Sequence, residues 1–280
     1  MLEKIKTRLG ELFKAIKEKI KEFIEKLQSV IFKKNSDNYL SRVRELAKED
    51  KNILKLQVDV INVDYYLKTL NTTSSISNNI KALRSMIDEV EGDLISSDID
   101  MDALNKELDN IPERLAKRAR KEARAVYDEA FKIVKEEMNE SINCNNEIFE
   151  SIEKDISDNT LKNSKIYVED IINYKYIDHM ASAVDRLNND VKTCERLVND
   201  TINYCNRRIP QYDSELSTII NKVTNLEIRR YKLSLQVAQL AYSSILRNLK
   251  QVIINYKSTQ NTTINDVNES VYDAIAWLGI

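Results

Sequence analysis

The chain has 280 residues, 42% of them hydrophobic and 31% charged, and a formal net charge of −2. With only three Gly and two Pro, it lacks the turn formers that an α/β fold, an all-β fold or a Gly-rich phosphate loop requires. Its aliphatic content is too high for a disordered chain, so the composition points to long helices.

The charge is unevenly spread. Residues 1–34 carry ten Lys/Arg against five Asp/Glu, and the remainder carries 33 against 40. A basic front on an acidic body suits two different sets of partners. Leu2, Ile5, Leu9, Leu12, Ile16, Ile20, Phe23 and Leu27 recur at steps of three and four. This spacing predicts an amphipathic helix over 2–32, with Lys and Glu on the other face. Charges interrupt every turn, which argues against a signal peptide. The stripe has three readings: it packs on its own bundle, it docks on a protein partner, or it lies on an anionic membrane.

A polar stretch at 33–38 ends this helix. A second helix is expected from Tyr39 to Leu70, and Asn71-Thr72-Thr73-Ser74-Ser75 reads as a loop. Shorter helices are expected over 76–94 and 99–108, the latter capped from Ser96-Ser97-Asp98. Asp109-Asn110-Ile111-Pro112-Glu113 is a helix start, with Pro in the first turn followed by an acid. That helix should run to Ser157-Asp158-Asn159.

Its first turns hold Arg114, Lys117, Arg118, Arg120, Lys121 and Arg124, with alanines between them. Arg114, Lys117, Arg118 and Lys121 share one face by their spacing. Such a patch either meets an acidic neighbour in the bundle or binds nucleic acid or another polyanion without sequence specificity.

Met180, Val184, Leu187, Val191, Cys194, Val198, Thr201 and Cys205 follow at alternating steps of four and three, a heptad seam that ends near Ile209-Pro210. A third long helix carries Leu216, Ile219, Val223, Leu226, Leu233, Val237, Leu240, Ser244, Leu249 and Ile253. Ser258 to Thr263 should break it. A last short helix, 266–278, then ends in an apolar tail in which Trp277 and Leu278 are candidate anchors.

Chemistry is sparse. The single histidine, His179, has no second histidine for acid–base or metal work. No Glu-x-x-His pair, Walker, Rossmann, HExxH or EF-hand sequence occurs. Cys144, Cys194 and Cys205 are odd in number and have no C-x-x-C spacing, which argues against a disulfide framework or a zinc site and for a reducing, intracellular setting. The longest uncharged run, Leu233–Leu246, is too short to span a bilayer. No cofactor, metal or small-molecule substrate is expected. Tyr65-Tyr66 and Tyr174-x-Tyr176 are either core aromatics or stacking platforms.

The opening, Met1-Leu2-Glu3-Lys4-Ile5-Lys6 through Phe23-Ile24-Glu25-Lys26-Leu27, resembles the Lys/Ile-rich amphipathic leaders of internal head or virion structural proteins of large tailed bacteriophages. That resemblance covers about an eighth of the chain and implies assembly inside a particle. In such families a maturation protease cuts after an Ile/Leu-x-Glu triplet, which Ile16-Lys17-Glu18 fits. An amphipathic leader followed by three long helices is also similar to N-BAR-like membrane proteins.

The expectation is therefore an all-α fold: an elongated antiparallel helical bundle or coiled coil, with residues 1–34 as a semi-detached basic leader helix, 35–258 as the bundle and 259–280 as a short helix and apolar tail. The expected function is non-enzymatic assembly through helix–helix contacts, in a virion- or scaffold-like protein that is intracellular or virion-internal. The expected partner is protein, self or other. An anionic membrane engaged by the leader and a nucleic acid or other polyanion engaged by residues 114–124 are the alternatives.

Overall fold

The computed structural model describes residues 2–32, 39–72, 112–208 and 213–277, together with Lys81, Arg84, Ser85, Asp88 and Lys106. Within these it describes the backbone alone at 29–32, 72, 116, 119, 120, 122–124, 126, 127, 130, 131, 134, 208, 213 and 261–277. The helices expected over 76–94 and 99–108 lie almost entirely outside the described residues.

Among the described residues the fold is all-α apart from one two-stranded sheet. In chain order the elements are α1 (Leu2–Phe32), α2 (Tyr39–Glu49), a 3₁₀ helix (Lys51–Lys55), β1 (Gln57–Ile61), α3 (Val63–Thr72), α4 (Glu113–Ser157), β2 (Asn163–Tyr167), α5 (Val168–Ile172), α6 (Lys175–Arg208) and α7 (Asp213–Trp277). The three long helices span 45, 34 and 65 residues.

Two expectations are corrected. Residues 39–70 are not one helix. Asp50 leaves helical geometry at φ −134°, and its carboxylate accepts from the backbone N–H of Asn52, ending α2 and starting the 3₁₀ turn. Val58, Val60 and Ile61 are β-branched and suit the pleated chain that follows. Asn62 Oδ1 then accepts from the Tyr65 N–H at 3.0 Å and caps α3. The second correction is at Ser258–Thr263, where α7 continues unbroken. That stretch is polar but contains neither Gly nor Pro, so nothing in its backbone forbids the helix.

The chain divides into two compact units. The first comprises residues 1–18, 67–155 and 188–233. Here the early part of α1 runs antiparallel to α6, as the Lys6 Nζ to Asn203 bond (3.3 Å) and the Lys17–Glu195 ion pair (2.6 Å) show. By contrast α4 and α7 are parallel neighbours: Lys222 Nζ donates to Asn139 Oδ1 at 2.9 Å, and seven residues on Arg229 Nη1 donates to Asn146 Oδ1 at 2.8 Å. The core is filled by Leu9, Phe13, Phe149, Val198, Ile219 and Tyr231, among others. From Leu226 to Tyr231 almost every α7 side chain is buried, the signature of a helix enclosed on all sides.

The second unit comprises residues 19–66, 156–187 and 234–280. It holds the sheet, in which β1 and β2 pair antiparallel with Gln57 opposite Tyr167 and Ile61 opposite Asn163. Asn159 (φ 56°) and Tyr174 (φ 63°) make the left-handed turns on either side of the β2–α5 segment. Arg44 of α2 closes the end of α5. Its Nε donates to the Ile172 carbonyl at 3.0 Å, its Nη1 donates to the Tyr174 hydroxyl at 2.8 Å, and its guanidinium lies 4.3 Å from the Tyr174 ring centroid. Phe23 of α1 packs edge-on against Tyr242 of α7 at 6.3 Å.

Candidate functional site

The α1 stripe is core. Leu2, Leu9, Ile16, Ile20, Phe23 and Leu27 are buried, and Ile5 and Leu12 are half-buried. Phe13, outside the expected stripe, is only 1% exposed. The early residues pack in the first unit and those from Ile20 onward in the second. With this face covered, α1 is a bundle helix and not a semi-detached one. A partner or a membrane reaches the stripe only if α1 leaves its seat.

The first half of α4 is the opposite case. Every described side chain from Glu113 to Glu137 is exposed, and burial begins at Met138. Leu115 and Ile133 are 56% and 53% exposed, the largest values among the exposed large hydrophobic residues described. In the sequence, positions Ala116, Ala119, Ala123, Val126, Ala130 and Ile133 follow at steps of three and four, placing them along one face of the helix. Exposed Arg114, Lys117, Arg118 and Lys121 lie on the same turns. The side chains of Arg120 and Arg124 lie outside the described residues, as do that of Trp277, the final residue of α7, and the whole of Leu278. Helix stability normally comes from packing an apolar face rather than from propensity.

The polar clusters elsewhere are internal ties. Arg230 and Glu227, 4% and 2% exposed at their side chains, pair at 2.7 Å, and Arg230 Nη1 also donates to Asn71 Oδ1. Burial works against the Arg230 charge, yet Glu227, Tyr231 and Asp190 together outweigh it and hold the guanidinium above its ordinary range. Burial pushes the neighbouring Cys194 thiol and Tyr231 hydroxyl well up. Burial also raises Cys205, to about 11. Such thiols are protonated and unreactive, in keeping with their seam positions, whereas Cys144 is exposed. His179 is exposed and pairs with Asp64 at 2.7 Å. Tyr66 is core, its hydroxyl accepting from the Lys162 N–H at 2.8 Å, while Tyr65 is exposed with Lys162 Nζ 3.8 Å from its ring centroid.

Among the described residues, no group of His, Cys, Asp and Glu is arranged to hold a metal ion, and no helix is long and apolar enough to cross a membrane. The exposed half of α4 was legible in the sequence only as a basic run, because exposure depends on what the rest of the chain covers. No family model, no curated protein and no solved structure matches this chain.

Proposed function

We propose that the chain is a non-enzymatic structural or assembly protein, of the virion- or scaffold-like kind that its opening resembles, and that it acts through helix–helix contacts made by the first half of α4. The observation that carries this reading is the exposure of Leu115 and Ile133 on a helix whose described side chains stay in solvent from Glu113 to Glu137. Large apolar side chains exposed in this way are what a partner helix buries.

The test is light scattering with small-angle scattering on the full chain over a range of concentrations, beside a Leu115→Glu/Ile133→Glu variant. Association in the parent and its loss in the variant support the proposal. A parent that stays monomeric overturns self-assembly by this face.

A second reading, binding of nucleic acid or another polyanion, is favoured by the exposure of Arg114, Lys117, Arg118 and Lys121 on the same segment. A membrane role for α1 has less support, since its apolar stripe is covered.

A further inference from the structure

The second unit contains a groove of about 970 Å³ beside the outer edge of β1, a volume in the range of ligand clefts. The direction of the strand's hydrogen-bonding groups can be read from its ends. The Val168 N–H donates to the Leu56 carbonyl at 2.9 Å, and the Asn62 N–H donates to the Lys162 carbonyl at 2.8 Å. Successive residues of a strand turn their N–H and C=O groups to opposite edges. Residues 56, 58, 60 and 62 therefore face β2, and Gln57, Asp59 and Ile61 face away. Two contacts agree: the Asn248 amide of α7 donates to the Asp59 carbonyl, and the Tyr176 hydroxyl donates to the Ile61 carbonyl at 3.0 Å.

The groove lies on that outward side. Leu56, Gln57 and Asp59 line one wall, and Gln251, Val252 and Asn255 of α7 line the other. Leu56 is 45% exposed. The Gln251 amide donates to Asn255 Oδ1 at 2.8 Å along that helix face. Among the described residues of the lining, Asp50 and Asp59 are the charged ones, and no Lys or Arg contributes.

We propose that this groove binds an extended, lysine- or arginine-bearing peptide segment of another protein, added to β1 as a third strand. Backbone groups of Gln57 and the N–H of Asp59 give the pairing, Leu56 and Val252 supply apolar contact, and the two aspartates select the charge. Strand addition of this kind draws affinity from main-chain bonds and specificity from alternate side chains. This inference is independent of the α4 surface.

The probe is a fluorescein-labelled Lys-Thr-Lys-Val-Lys-Thr peptide, titrated with the full chain by fluorescence anisotropy. Two control peptides replace the valine by proline, which removes a strand N–H, or every lysine by glutamate. The expected result is binding that weakens about tenfold or more with either control. Gln57→Pro in the protein removes an outward N–H without touching the β2 ladder, and Asn255→Trp fills the groove from an exposed helix position. Each should weaken the lysine peptide by about tenfold with an unchanged circular dichroism spectrum. Should Gln57→Pro disturb the fold, Asn255→Trp carries the test. No binding up to about 1 mM, equal binding of the proline peptide, tighter binding of the glutamate peptide, or indifference to Asn255→Trp would each overturn the proposal.

Discussion

Arg230 Nε donates to Glu227 Oε2 at 2.7 Å inside the first unit, one helical turn away on the same face of α7. Both side chains are almost fully buried. The pair replaces apolar packing on a helix that is otherwise enclosed, and Asn71 supplies a further acceptor from α3.

Removing one partner strands the other. Glu227→Ala should lower stability by roughly 3–5 kcal/mol, because an unpaired buried charge remains. Replacing both residues by Met should cost far less, and buried pairs replaced by well-packed apolar residues are often neutral or stabilising. Urea unfolding of the three chains checks this. A single variant no more damaging than the double would contradict it.

The cysteines should separate by burial. In the native chain Ellman's reagent at pH 8 should titrate Cys144 quickly, while Cys194 and Cys205, buried and with raised thiol pKa values, react only on unfolding. A Cys144→Ser variant should then show almost no fast reaction. Fast reaction of Cys194 would mean that the seam opens readily.

Alkaline pH should destabilise the fold. Burial, with Asp64 adding to it, raises the Tyr176 hydroxyl from 10.0 to about 12. Tyr231 and Tyr242 are raised as well, both mainly by burial. A folded pKa above the unfolded one leaves stability intact below pH 10. For Tyr176 it is then lost between 10 and about 12, by about 1.4 kcal/mol per pH unit, and Tyr231 and Tyr242 act in the same direction. Tyr176→Phe should flatten that slope while costing the bond to the Ile61 carbonyl. Denaturant midpoints measured across this window decide the point.

Glu153 should make the opposite contribution at acid pH. Its hydrogen bond to Arg229 holds the carboxyl below 4.5, against an opposing effect of burial. The stability it adds is present above 4.5 and lost as pH falls through the lowered folded value. Since Glu153 is 44% exposed, solvent screens the pair and the effect should be small. Glu153→Gln should remove this part of the acid dependence.

The basic face of α4 yields a salt prediction. If polyanions bind there, replacing Arg114, Lys117, Arg118 and Lys121 by Glu should abolish binding of a random-sequence duplex at low salt. The parent's log affinity should fall linearly with log salt, with a slope of roughly −0.9 per phosphate neutralised. Gel-shift titrations at several salt concentrations read both quantities. No duplex binding by the parent at low salt would remove the polyanion reading.

Much of the helical architecture was legible because helix signals are local. The α1 stripe, the Pro112 start of α4, the stop at Ser157 and the α6 seam all rest on residues within a few turns of each other. The strand was missed for the opposite reason. Gln57–Ile61 is only five residues long, and its partner, Asn163–Tyr167, lies about a hundred residues away. A short alternation such as Val58-Asp59-Val60 is also compatible with a helix until that pairing is known.

By itself, the sequence determined that the chain is helical, where α1, α4 and α6 begin or end, and which seam residues turn inward, since period and capping act over a few residues. The tertiary structure decided what those faces meet. It covered the α1 stripe that read as a docking surface, left Leu115 and Ile133 in solvent, buried Arg230 with Glu227, and set β1 against β2 with its outer edge facing a groove. Burial is a property of what packs around a residue, and packing brings together segments far apart in the chain.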